Sequence, residues 1–105
     1  MDDQKYQQAQ RRAHMFKAMA HPMRMYMLEM LQDRPWCVCE MADQLGMDKS
    51  VASKHLSQLK EAGLVSDTKT GTRVEYRLAV PCVLDVAACA ESSVLMNRKR
   101  LLGIG

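Results

Sequence analysis

The sequence lacks the features of a membrane-spanning or secreted protein. None of its stretches approaches the ~18 consecutive apolar residues that a membrane-spanning helix requires. Its first residues, 1–5, do not show the basic and then apolar layout of a secretory signal. We therefore expect a cytoplasmic protein with no membrane partner.

Residue sets that are typical of enzymes are also missing. The chain has no pair of carboxylates arranged for acid–base work, no Ser/His/Asp set and no glycine-rich phosphate loop. Its Cys37-Val38-Cys39 segment lacks the two-residue spacer of the thioredoxin motif. We therefore predict that the protein is not an enzyme.

Internal repeats, low-complexity segments and linkers are absent as well, and 105 residues is the length of one domain. Hydrophobic residues make up 48% and charged residues 26% of the chain, which is a globular composition. A chain this short builds a thin core, so a second subunit would help to bury apolar surface. The net charge of +3 permits an anionic partner without requiring one.

Apolar periodicity predicts five helices. Apolar side chains at helical spacing cover about residues 4–20, 22–32, 40–45, 49–62 and 82–96, before a basic tail at 97–100 that we expect to be frayed. Between the third and fourth of these helices, Gly46 supplies a left-handed stop and Asp48 an N-cap. Two short helices joined by a glycine turn form a helix-turn-helix, predicted at about residues 39–63.

After the helix-turn-helix, the spacing of apolar residues changes from helical to alternating. Val74, Tyr76 and Leu78 alternate with charged residues, which predicts a half-buried strand. Residues 64–70 are its predicted partner, and the hairpin would form a wing at about residues 64–79. The predicted fold is mainly α (α+β): a dimeric winged helix-turn-helix with about five helices and a two- to three-stranded β-wing, in one domain over residues 1–105.

Four segments resemble the ArsR/SmtB repressors in their order and spacing. They are His21-Pro22-Met23-Arg24, Cys37-Val38-Cys39-Glu40, the stretch from Ser53 to Val65, and the stretch from Gly71 to Leu78. The resemblance covers nearly the whole chain, and the Cys-Val-Cys box is similar to that of the thiolate-sensing, arsenic-type branch. It implies a dimeric winged-helix protein that occupies an operator and leaves it when an inducer binds.

The helix-turn-helix offers candidate DNA-binding residues on one face. With Ala52, Leu56 and Leu59 directed inward, short or polar side chains of the same helix can reach base edges and phosphates. Together with the wing, the candidates are Lys49, Ser50, Val51, Ser53, Lys54, Lys69 and Arg73. One such domain contacts few base pairs, so we expect a homodimer on an inverted-repeat operator, paired through helices 4–20 and 82–96.

The cysteines are the candidate metal ligands. Cys37 and Cys39 stand where a strand becomes a helix, and the helix dipole there is expected to lower their pKa. Pairing of this strand with the one ending near Leu78 would bring Cys82 close to Cys37. Cys82 and Cys89 are about 10.5 Å apart along a helix, so both serve one ion only if Cys82 lies in the preceding loop.

The choice of ion follows from softness, ligand number and the resemblance. Three thiolates suit As(III) or Sb(III), as in the arsenic branch, and four suit Cd(II), Pb(II) or Zn(II). The chain departs from the sensor patterns of this family in several places. Ala42 stands where arsenic sensors often carry a further cysteine, residues 1–36 contain no cysteine, and no histidine follows His55. We predict As(III) or Sb(III) first, with Cd(II), Pb(II) or Zn(II) as alternatives.

Other interpretations of these residues stay open. The thiols of the same repressor could form a disulfide or persulfide, which would make a redox sensor, or the cysteines could be structural in a constitutive repressor. From another class, the chain could be a thiol redox protein or metal carrier without a DNA role. His55 is interpreted as structural. The six methionines between Met15 and Met30 are interpreted as core and interface filler.

Overall fold

The computed structural model describes residues 1–103 and contains the expected five helices, with three strands. The elements are α1 (Asp3–Met19), α2 (Pro22–Asp33), β1 (Trp36–Cys37), α3 (Val38–Leu45), α4 (Lys49–Glu61), β2 (Val65–Thr70), β3 (Arg73–Leu78) and α5 (Cys82–Leu101). The strands form one antiparallel sheet in the order β1-β3-β2. The predicted winged helix-turn-helix fold is confirmed.

Local signals explain where the first two helices begin. Asp2 caps α1, since its Oδ1 accepts hydrogen bonds from the backbone N–H groups of Gln4 and Lys5 at 2.9 and 3.2 Å. At α2, Nδ1 of His21 accepts from the N–H of Met23 at 3.1 Å, and Pro22 takes the first helical position.

The helix-turn-helix has two short helices with a glycine between them. Gly46 ends α3 in the left-handed conformation, with φ of 64°, as predicted. Asp48 occupies the N-cap position of α4, but its side chain makes no capping hydrogen bond. The helix α3 begins at Val38, two residues earlier than expected, and therefore includes Cys39 in its first turn.

The hairpin and β1 share the central strand β3. Val65 pairs with Leu78 at the base of the hairpin and Thr70 pairs with Arg73 at its tip. The turn between them uses Gly71 at φ of 64°, a conformation that suits a two-residue hairpin turn. On the other side of β3, Cys37 pairs with Glu75. The wing is therefore tied by backbone pairing to the start of α3.

The core lies between the helix-turn-helix, α2 and the sheet. Its largest fully buried side chains are Met27, Leu28, Met41, Leu56, Leu59 and Leu64. Met19 and Met30 are also buried, and Met15, Met23 and Met25 pack against this core. The methionines between Met15 and Met30 thus act as core filler, as predicted.

The last helix departs from expectation. It extends to Leu101, so the basic tail at 97–100 is helical rather than frayed, and its last turn carries three basic side chains that complement the helix dipole. Only Val83 and Leu84 of this helix are buried. Apolar side chains along the rest are exposed, among them Val86, Val94, Leu95 and Met96. Across the described chain, 1–103, no helix has the length and apolarity to cross a membrane.

Candidate nucleic-acid interface and thiol site

The helix α4 separates a buried face from a polar one. Ala52, Leu56 and Leu59 are buried against the core, as predicted. Lys49, Ser50, Val51 and Lys54 are exposed, and Ser53 is half-buried. The helix therefore leaves the predicted DNA-binding side chains available on its outer side.

A groove between α3, α4 and the wing brings thiols and basic side chains together. It encloses about 630 Å³. Of the candidate site residues, it is lined by Cys37, Cys39, Lys49, Ser53, Lys69 and Arg73. The lining does not include Ser50, Val51, Lys54, Cys82 or Cys89. Two of the four cysteines thus share one surface with both the helix and the wing that were predicted to contact DNA.

Cys37 is held by a small polar network at the start of α3. It is the N-cap of this helix, and its side chain is buried. Its N–H donates to Oε1 of Glu40 at 3.2 Å, and Nε of Arg73 donates to its Sγ. Glu40 also accepts from Nη2 of Arg73 at 3.2 Å and forms an ion pair with Arg34 at 3.6 Å. The network joins β1, α3 and β3.

The expectation of a lowered pKa at Cys37 is wrong. Burial raises the pKa of this thiol, and the hydrogen bond with Glu40 raises it further, which together outweigh the opposite effect of Arg73. The pKa of Glu40 is lowered, first by its hydrogen bond with the Cys37 side chain. The side chain of Cys37 is therefore a buried thiol with a raised pKa, in contact with an arginine.

The other cysteines lie in open surroundings. Cys39 is exposed in the first turn of α3, and Cys82 and Cys89 are exposed on α5. Cys82 is the first residue of α5 rather than part of the preceding loop. It is therefore separated from Cys89 by about 10.5 Å along the helix axis, so the condition for both to serve one ion in one chain is not met.

The sheet register also changes the expected relation between Cys37 and Cys82. Cys37 lies opposite Glu75, not opposite the end of β3. The strand continues for three more residues to Leu78, or about 10 Å, so strand pairing does not by itself bring Cys82 to Cys37. Within residues 1–103, no group of three or more His, Cys, Asp or Glu side chains is placed to hold a metal ion.

Sequence reasoning missed Glu40 and Arg34 as members of the site. A local signal was present, because Cys37 and Glu40 have the spacing of a capping box, in which the third helical residue returns to the N-cap. No local signal points to the contact between Arg73 and Cys37, since these residues are 36 positions apart.

His55 occupies a structural position, as predicted. Its Nδ1 accepts a hydrogen bond from Nε of Arg24 at 3.1 Å, and its ring lies 4.7 Å from that of His21. Burial lowers the pKa of His55, and the positive charges of His21, Arg24 and Lys54 lower it further. The same Arg24 donates to the carbonyl of Ala18 at 3.3 Å, which ties α1 to α2 and α4.

The second helix of the helix-turn-helix exposes basic and hydroxyl side chains, and a hairpin follows it. This arrangement defines a winged-helix DNA-binding protein. Residues 21–67 match the family model described as bacterial regulatory protein, arsR family. Among curated proteins, the uncharacterized HTH-type transcriptional regulator Rv0081 of Mycobacterium tuberculosis is 33% identical over 95 residues, which are 87% of this chain and 83% of that one. The chain belongs to the ArsR family, whose members are DNA-binding transcriptional regulators and repressors.

Two further proteins are similar over different extents. The arsenic resistance transcriptional regulator ArsR1 of Pseudomonas putida is 39% identical over 64 residues, which are 60% of this chain and 50% of that one. The homodimeric winged helix-turn-helix DNA-binding domain of Mb0332 from Mycobacterium bovis matches with a TM-score of 0.79 and 29% identity, over 95% of this chain and 93% of that one.

Proposed function

We propose that this protein is a homodimeric repressor that releases an inverted-repeat operator when a soft ion binds its cysteine thiolates. As(III) or Sb(III) is the first choice of ion. The proposal rests on one observation above all: the groove that holds Cys37 and Cys39 is also lined by Lys49, Lys69 and Arg73. A ligand at the thiols would therefore change the surface that faces DNA.

The DNA contacts divide by side-chain chemistry. Ser50, Val51 and Ser53 of α4 are proposed to approach base edges, with Val51 meeting a thymine methyl group. Phosphate contacts are assigned to Lys49 and Lys54 of α4 and to Lys69 and Arg73 of the wing. The exposure of Val51, a branched apolar side chain on the outer face of α4, favours this arrangement.

The dimer is proposed to form through the two outer helices. Tyr6 and Phe16 of α1 and Val94 and Leu95 of α5 are large apolar side chains that one chain leaves exposed. An isologous pairing of these helices would cover them and place two α4 helices on two half-sites. The homodimeric domain of Mb0332 from Mycobacterium bovis, to which this chain is similar, supports the proposal.

Cys37 and Cys39 are proposed as the first two ligands, with Cys82 next and Cys89 last as the source of a third thiolate. Both of the latter lie on α5, a proposed dimer helix, so the third thiolate comes from either subunit. Each thiol exchanges its proton for a bond to arsenic while one hydroxide of arsenous acid leaves as water. The oxidation state of arsenic is unchanged, so no reductant or oxidant is required.

A site of three thiolates suits As(III) and Sb(III). Cd(II), Pb(II) and Zn(II) are better held by four ligands. The similarity to the arsenic resistance regulator of Pseudomonas putida supports the same choice. Cys37 and Cys39 could instead be oxidised to a disulfide or converted to a persulfide, and the experiment below distinguishes that route.

The test measures operator binding by fluorescence anisotropy with reduced protein. Arsenite, antimonite, Cd(II), Pb(II) and Zn(II) are added in turn to wild type, Cys37→Ser, Cys39→Ser, Cys82→Ser and Cys89→Ser. We expect arsenite or antimonite to weaken wild-type binding about a hundredfold and to leave Cys37→Ser and Cys39→Ser bound. The variants at Cys82 and Cys89 identify the third ligand.

Three results would contradict the proposal. If Cys37→Ser still responds to the ion as the wild type does, the ligand lies elsewhere. If no ion acts but an oxidant or a polysulfide releases the operator, the cysteines form a redox switch. A protein that binds the operator and responds to neither is a constitutive repressor.

A further inference from the structure

One side chain connects the wing to the thiol site. Arg73 is the first residue of β3, next to the hairpin turn. Its Nε donates to Sγ of Cys37 and its Nη2 donates to Oε1 of Glu40 at 3.2 Å. Both acceptors belong to the start of α3, the first helix of the helix-turn-helix. The guanidinium therefore links the wing to α3 through two contacts, one from Nε and one from Nη2.

The neighbouring wing arginine has no such role. Nη2 of Arg77 donates to Oγ1 of Thr68 at 3.2 Å and to Oε1 of Glu75 at 3.4 Å, and both acceptors lie within the hairpin itself. Arg77 lies on the same strand and its side chain is exposed, like that of Arg73. It therefore serves as a matched control, because its replacement removes the same charge from the wing without touching α3.

We propose that Arg73 is the positioning residue through which the state of the Cys37 sulfur sets the orientation of the wing. The inference deepens the proposed function, on which its ion-dependent part rests. With Cys37 as a free thiol, the sulfur accepts from Nε while Glu40 holds Nη2, so the guanidinium is fixed at two points. Once the sulfur is bonded to an ion, the ion and its other ligands occupy the space beside the sulfur and displace Nε.

The consequence for DNA binding follows from the position of Arg73. Two-thirds of its side chain is exposed, at 66%, so the guanidinium that contacts the sulfur also faces the surface where phosphates would lie. Loss of the sulfur contact leaves the guanidinium held at one point, Glu40, beside the backbone pairing of β1 with β3, which spans two residues. A wing held less firmly presents its phosphate contacts less well, and operator affinity falls.

The first arm of the test is a double-mutant cycle without any ion. Operator Kd is measured for Cys37→Ala, Arg73→Gln and the double variant, with thermal unfolding as a check that each is folded. Because the two side chains act through one contact, we expect the double variant to bind about fivefold or more tightly than the product of the single effects predicts. The parallel cycle of Cys37→Ala with Arg77→Gln is expected to be multiplicative.

The second arm asks whether the ion acts through this contact. Arsenite binding is followed by the ultraviolet absorption of arsenic–thiolate bonds, separately from operator binding. Arg73→Lys keeps the positive charge but cannot reach both acceptors with a planar fork. We expect Arg73→Lys to bind arsenite and to have a weaker basal operator affinity, because the contact with Cys37 is already lost, while arsenite weakens its remaining operator binding less than about tenfold. Arg77→Gln should lose basal affinity and keep the full response.

The outcomes separate the two proposals. Multiplicative behaviour in the Cys37 and Arg73 cycle overturns the role of Arg73, whatever arsenite does. A full arsenite response in Arg73→Lys overturns it as well. If the cycle is non-multiplicative but neither wild type nor variants show arsenic–thiolate absorption, the connection between Cys37 and the wing stands and the proposed inducer is wrong.

Discussion

The body formed by residues 22–78, from α2 to β3, differs sharply from the outer helices α1 and α5. The six largest fully buried side chains of the described residues all belong to the body, among them Leu56, Leu59 and Leu64. The outer helices bury only Met19, Val83 and Leu84, and they leave Phe16 and Val94 about half exposed, at 46% and 57%. The body thus buries its own apolar side chains, whereas the outer helices leave apolar side chains exposed for a partner.

The cysteines also differ between the body and the outer helices. Cys37 is buried in the body, where Arg73 and Glu40 hold it, whereas Cys82 and Cys89 are exposed on an outer helix. The body therefore fixes the position of one thiol, and the position of a thiolate from α5 depends on how the outer helices pair. In the proposed site of three thiolates, the position of the third ligand therefore depends on the pairing of the outer helices.

The largest effect is expected from charging the outer helix. Val94→Glu places a carboxylate on an apolar, exposed position of α5, so it should separate the dimer into monomers in analytical ultracentrifugation. Operator affinity should then fall by about 10²–10⁴, since the second half-site no longer binds as part of one molecule. Ser92→Glu adds the same charge on the other side of the helix as a control. A dimeric Val94→Glu would show that α5 does not form the interface.

A core substitution in the body should act on folding instead. Leu59→Ala removes a fully buried side chain of α4 and should lower the free energy of unfolding by about 2–5 kcal/mol. Val51→Ala, on the exposed face of the same helix, should change it by less than about 0.5 kcal/mol. Urea unfolding measures both. Similar losses for the two variants would contradict the division of α4 into a buried and an exposed face.

Acid should weaken the contact between α2 and α4 within the body. The pKa of folded His55 lies below its ordinary value of 6.5, so its contribution to stability is complete above that value and is lost as the pH falls through the folded pKa. Protonated Nδ1 cannot accept from Arg24, which would then face a second positive charge. Thermal unfolding from about pH 8 to pH 5 should show this loss. His55→Gln should have a smaller slope, and an unchanged slope would assign the effect to another group.

The smallest effect is expected at the surface contact between α4 and the wing. Lys60 forms an ion pair with Asp67 at 3.0 Å, and about half of the lysine side chain is exposed. Lys60→Ala should therefore cost at most about 1 kcal/mol of stability, and less at high salt. Chemical unfolding at two salt concentrations measures the difference. A larger, salt-independent loss would indicate that the lysine stem contributes by packing.

Periodicity predicted the fold well because most elements follow local rules. The alternation around Tyr76 predicted β3, and Gly46 predicted the end of α3. The early start of α3 was missed because the capping pair of Cys37 and Glu40 was not considered. The prediction of a frayed tail at 97–100 is wrong, because basic side chains favour the end of a helix and α5 continues through these residues.

The site was less predictable because it depends on distant residues. The sequence pattern predicts that Cys37 and Cys39 form a pair and that Arg73 belongs to a wing. It does not show that Arg73 reaches Cys37, since that contact depends on the register between β1 and β3. The same register also determines how far Cys82 lies from the pair. The register between β1 and β3 thus decides which thiols lie close together, and this register cannot be predicted from composition.

The order of strands in the sheet has a consequence for aggregation. An exposed strand edge is a template for pairing with other chains, and this sheet has two edges, β1 and β2. The strand β1 is only two residues long and runs directly into α3, while β2 carries Asp67 and Lys69. Such short or charged edges discourage the growth of a sheet from molecule to molecule. Self-association is thereby directed to the helices, whose exposed apolar side chains include Phe16 and Val94, and growth of fibrils through the strands is discouraged.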